Sequence, residues 1–140
     1  MSSVCRGVRG ATTVSADSRT EVLRATGELL LVMVQVNQMA TEDIASAVFT
    51  TTRDLVSEYP ALAARKLGWR DVPLLCGHEM EVPGSLPRCI RVLVHWNTPL
   101  GQKEIRHVYL HGAENLRPDQ SELFDLPEIE LPNFDTEIVG

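Results

Sequence analysis

The chain has 140 residues, enough for one domain with a respectable core, and its 44% hydrophobic and 23% charged side chains are ordinary for a soluble globular protein. The net charge of −6 is unevenly placed: residues 1–116 carry twelve basic and twelve acidic side chains, while residues 117–140 carry one arginine and seven acids. The longest unbroken apolar run, residues 29–34, is far too short to span a membrane, and no basic stripe or RNA-binding motif points to nucleic acid. The neutral body still leaves room for a pocket that takes an anion.

No apolar run follows Arg6 and Arg9 to make a leader peptide, and Cys5, Cys76 and Cys89 form no CxxC motif. These features predict free thiols and a cytoplasmic location. Residues 4–13 (VCRGVRGATT) predict a strand whose two glycines would let another backbone or a ligand come close, with Arg9 on the face of Cys5 and Gly7. Ser18 and Glu21 stand at capping-box spacing. Behind them Val22, Leu29, Met33 and Val36, widened by Leu23 and Leu30, predict a helix that closes at Asn37.

Residues 45–52 predict a second strand or a helical continuation from Ile44, and their three threonines favour the strand. Pro60 fits the first turn of a short helix over 61–67, and Gly68 fits its C-terminal cap. A buried strand over 72–76, a loop at 83–85, a strand over 89–96, a turn at 97–102 and a strand over 105–111 follow. The order β-α-β-α-β-β-β predicts an α+β fold, a mixed sheet with helices on one face. Residues 1–119 would form the domain, and 120–140, acidic and interrupted by Pro127 and Pro132, a loosely attached tail.

The strand over 89–96 is the centre of interest. Ile90, Val92, Val94 and Trp96 form one apolar face, and the other face carries Arg91 between Cys89 and Leu93. A guanidinium in such a row needs a carboxylate, another acceptor or a ligand, because burying it alone is very costly. Cys76-x-His78, His95 and the pair His107 and His111 could suggest zinc, but histidines four apart converge on a helix and 105–111 reads as a strand. One cysteine near one histidine is weak evidence for a nucleophile, and no phosphate-cradling glycine loop is present. What remains is Arg9, Arg65, Arg91, Glu79, Cys76 and Tyr109. That set suits a small polyanion held by charge-assisted hydrogen bonds better than it suits acid–base chemistry.

The segments VRGATTV (8–14), GW..VP (68–73), C..EM.V (76–82), CIRV (89–92), and IRHVYL with LRPD (105–119) occur in one order. Together they resemble the monofunctional chorismate mutases of the trimeric, barrel-like class, over residues 4–119. The resemblance implies a trimer forming a pseudo-α/β-barrel with sites between subunits. It also implies a Claisen rearrangement of chorismate to prephenate in aromatic amino-acid biosynthesis, without cofactor or metal. Arg91 would hydrogen-bond the breaking ether oxygen. Glu79, with Cys76 beside it, would orient the ring hydroxyl and face the cationic side of the transition state. Arg9 and Tyr109 would hold the side-chain carboxylate from the chain of Arg91. Leu74, Leu75, Cys76 and Glu79 would come from the neighbouring chain, Arg65 would close over the substrate near Tyr59, and Leu116 and Arg117 would cap it.

Two features depart from the pattern: Leu62 stands where the family can carry lysine, and the acidic tail is longer than expected. Two other readings remain at this stage. A trimeric enamine/imine deaminase of the RidA/YjgF type has a similar subunit fold and an arginine for a substrate carboxylate. A non-catalytic trimer that binds an aromatic-pathway metabolite would retain the same residues.

Overall fold

The computed structural model describes residues 2–116 and 129–134. Strand β1 (Val4–Thr13), helix α1 (Arg19–Asn37), β2 (Ile44–Thr51), α2 (Ala61–Lys66), β3 (Leu74–His78), β4 (Cys89–Thr98) and β5 (Val108–Tyr109) follow in the expected order. The five strands form one sheet in the order β3-β2-β4-β1-β5. β4 runs antiparallel to both β1 and β2, whereas β3 and β5 lie parallel to their neighbours at the two edges. The sheet is therefore mixed, with both helices on one face.

Alternation decides which face. On β4 the even residues Ile90, Val92, Val94 and Trp96 are at most 5% exposed, while Leu93 on the other face is 39% exposed. Val8, Phe49, Val92 and Val94 pack with Leu29, Leu30 and Met33 of α1 in the main core. Each such side chain, fully withdrawn from water, contributes about 1.5–3 kcal/mol before entropy is counted. Ser18 caps α1 as its spacing predicts, its hydroxyl accepting the Glu21 N–H at 3.1 Å. Gly68 takes the left-handed conformation (φ +97°) just past α2. The close approach predicted at the β1 glycines is real, but what approaches Gly10 is the Met33 side chain of the helix, not a ligand.

Four strands differ from expectation in their limits; β2, Ile44–Thr51, lies one residue earlier than the predicted 45–52. β3 starts at Leu74 and runs to His78, because Pro73 has no N–H for the ladder and contributes only its carbonyl, to Ala47. β4 continues through Asn97 and Thr98, which pair with Cys5 and Val4. β5 keeps only two of the seven residues predicted, 105–111. Both backbone groups of Arg106 are taken instead by the Asn37 amide, at 2.9 Å each, and His107 Nδ1 accepts the Arg9 N–H. His111 then turns the chain away at φ +52°.

Candidate active site

Register brings Glu79, Arg91 and Tyr109 together on the sheet face away from the helices. Arg91 of β4 is paired with Thr50 of β2 on one side and Ala11 of β1 on the other. Ala11 is in turn paired with Tyr109 of β5, and Thr50 with Gly77 of β3. A single row thus crosses all five strands, with Arg91 at its centre and Tyr109 at one end. Glu79 joins it from the end of β3. Its N–H donates to the Thr51 carbonyl at 2.8 Å, and its carboxylate accepts a short hydrogen bond from the Thr50 hydroxyl. The glutamate thereby shares a place with the arginine of its own chain, rather than arriving only from a neighbour as the resemblance implies.

The row holds unused donors. Arg91 Nε and the Tyr109 hydroxyl are buried and have no hydrogen-bond partner among the described residues. Burying a polar group unpaired costs about 1–3 kcal/mol, so these atoms are set to receive acceptors. Cys89 lies two residues from Arg91, on the same face of β4. Burial pushes the Cys89 thiol above its ordinary pKa, although Arg91 pulls it the other way. Arg9, two residues from Ala11 along β1, extends the positive face into solvent. Leu116 packs beside Ala11 and Tyr109 at the end of the row, while Arg117 lies outside the described residues.

A second group sits at the β3 edge. Cys76 pairs with Phe49, so it faces the helices, opposite to Arg91. Burial raises its thiol pKa; an N–H donated by Ala61 and the charge of Arg65 act against that rise. Tyr59, 71% exposed, lines with Pro60, Cys76 and His78 an open cleft of about 380 Å³. Another cleft, about 570 Å³, runs along Glu79, Met80 and the loop to Pro87. Neither is lined by Arg91 or Tyr109, so two open clefts flank β3 and neither reaches the centre of the row. Leu75 points to the open face and is 66% exposed. Among the described residues no three His, Cys, Asp or Glu side chains gather as metal ligands.

The family model for chorismate mutase type I matches residues 5–120. The chain belongs to the chorismate mutase type I family. It is 52% identical over 115 residues to the chorismate mutase AroH of Thermus thermophilus, covering 81% of this chain and 94% of that one. Identity to the AroH protein of Bacillus subtilis (strain 168) is 44% over 117 residues, 83% of this chain and 92% of the relative. Among solved structures, a chorismate mutase from Clostridium thermocellum superposes with a TM-score of 0.77 at 47% identity, over 78% of this chain and 97% of that chain. No helix among the described residues is long and apolar enough to cross a membrane.

In this chorismate mutase fold some of the supporting residues escape a reading by sequence. Thr50 holds the glutamate, yet only strand register marks it out among three neighbouring threonines. Asp17 is another. Its carboxylate accepts N–H bonds from Val56 and Ser57 at 3.1 Å and a further bond from the Ser57 hydroxyl. Arg19 adds an ion pair to Glu58 at 3.1 Å. Together they tether the segment that leads to Tyr59 onto the start of α1. The Ser57 hydroxyl bond is the main reason the Asp17 pKa lies below its ordinary value.

A lowered folded-state pKa means that the tether stabilises the fold above the ordinary carboxylate pKa, about 3.9, and is lost as pH falls through the lower folded value. Asp17→Asn is therefore expected to melt below wild type at neutral pH. The gap should narrow as pH falls below about 4 and close below the lowered folded value, where wild type has lost the same charge. Thermal melts of both proteins across pH test this, and a gap that persists unchanged into strong acid would refute it.

Proposed function

We propose that this chain converts chorismate to prephenate at a site completed by a second copy of itself, within a homotrimer. The observation that carries the reading is the row Glu79–Thr50–Arg91–Ala11–Tyr109, which aims one carboxylate and two unpaired buried donors at one side of the sheet. A unimolecular pericyclic rearrangement transfers no proton to the protein. It needs a compact substrate conformer and a field matched to a transition state in which the ether oxygen gains negative charge and the ring becomes cationic.

In this reading Arg91 donates to the ether oxygen, and Glu79 faces the ring and its hydroxyl. Arg9 and Tyr109 hold the side-chain carboxylate, and Leu116 covers the end of the site. Leu74, Leu75 and Cys76, with Arg65 and Tyr59, come from the neighbouring copy. The open face supports such an assembly: Leu75, Val48 and Leu93 line up across β3, β2 and β4, and two of them are 66% and 39% exposed. A sheet covered by helices on one side only gains by burying such a row against another copy. The cytoplasm is the protein's compartment.

Purified protein is expected to consume chorismate, followed by its absorbance, and to yield prephenate, identified by acid conversion to phenylpyruvate. Light scattering should give the mass of three chains. A folded trimer that binds chorismate and leaves it intact would replace this reading by that of a metabolite-binding module. Release of ammonia from enamine substrates would replace it by a deaminase.

A further inference from the structure

The acidic tail, expected to be loosely attached, has a seated part. Phe134 is only 7% exposed and packs against Leu23 of α1, Ala63 of α2, Leu62, Leu67 and Leu131. Ile129 packs against the main core. The ring of Phe134 lies on Gly27: a Cβ built there would stand 2.2 Å from Cζ, and its three nearest atoms all belong to that ring. The seat is thus made of a bare stretch of α1 and the apolar residues of α2, including Leu62, where the family can have lysine. Ile129, Leu131 and Phe134 all lie past residue 120, where the family match ends, whereas their seat lies within it.

The helix on the other side of that seat is weak by itself. α2 has six residues, and those it buries are Ala61, Ala63 and Ala64. A helix of that length is not stable alone, and alanines offer little area to hold it in place. An aromatic ring spanning both helices supplies what they lack. α2 also adjoins the second group at the β3 edge: the Tyr59 carbonyl accepts the Leu62 N–H at its start, and Arg65 stands close enough to Cys76 to act on its thiol.

We infer that residues 129–134 are a strap that fixes α2 against α1 through Phe134, and thereby positions Arg65 and Tyr59 for the substrate. This rests on the reading that Arg65 and Tyr59 belong to the chorismate site. Phe134 is a positioning residue; it touches helices, not substrate.

The test is a double-mutant cycle in the full chain: wild type, Gly27→Ala, Phe134→Ala and the pair. In wild type Gly27→Ala collides with the ring, so it should lower Tm and raise KM several-fold with little change in kcat. With Phe134→Ala the collision is gone and alanine outperforms glycine in a helix, so the same substitution should raise Tm by about 2–4 °C. Phe134→Leu should return KM towards wild type. Alkylation of Cys76, read by mass spectrometry, reports α2 without any turnover and should accelerate in Phe134→Ala. A Gly27→Ala effect of equal sign in both backgrounds would overturn the seat. Lower Tm with unchanged KM and unchanged Cys76 alkylation, in an active enzyme, would reduce the strap to a structural role. If wild type leaves chorismate intact, the site reading fails and takes the substrate role with it, while the Tm cycle and the alkylation still decide whether the strap holds α2.

Discussion

Replacing Arg91 by alanine is expected to lower the rate of chorismate rearrangement by at least 10²- to 10³-fold, the usual cost of losing one donor aimed at a developing oxyanion. The case rests on where the side chain is held. Arg91 sits mid-row between Thr50 and Ala11, and its Nε is buried without a partner, so it needs no reorganisation to meet negative charge. The sheet, not the ligand, supplies that order. Arg91→Lys should recover little, because an ammonium on a flexible stem cannot reproduce a planar fork of donors. The fold should survive both changes, since the side chain lies on the face away from the main core. Single-turnover rates at saturating chorismate, with circular dichroism to confirm folding, are the measurement. Near-normal turnover in either variant would remove Arg91 from its central role.

Glu79→Gln is expected to have the second-largest effect, a fall in kcat of about 10²- to 10³-fold. Glutamine keeps the size of the side chain and can still accept the Thr50 hydroxyl, so the change isolates the charge. Opposite unit charges at about 4 Å attract by about 4 kcal/mol in a partly screened site, which bounds the loss near three powers of ten. A transition state with a cationic ring feels that charge, whereas the ground state feels it less, so kcat should fall more than KM rises. Thr50→Val keeps the charge and frees the carboxylate, and should fall between the two. A Glu79→Gln enzyme with normal kcat and altered KM alone would show that the carboxylate only binds the ring hydroxyl.

The elements that could be read directly from the sequence are those built by local rules. β1 and β4 show alternation, α1 shows helical spacing behind a Ser18 cap, and Gly68 marks the end of α2 because only a residue without a side chain takes its backbone easily. Arg91 was likewise legible, as a cation in a strand with one wholly apolar face. Its partners show in the ordered family motifs, not in periodicity.

What the chain could not announce locally is everything set by long-range pairing. β5 shrinks to two residues because Asn37, far away in sequence, takes the backbone of Arg106. Thr50 becomes the holder of Glu79, and Asp17 the tether of the loop to Tyr59, only through register and packing. Cys76, close to Glu79 in sequence, faces the helices, since successive side chains of a strand point to opposite faces and pairing decides which is which. The seat of Phe134 on Gly27 is the extreme case. A glycine inside a helix and a phenylalanine in an acidic tail carry no mark of each other until the fold closes the distance, because packing depends on shape in three dimensions and the sequence records only the order of residues.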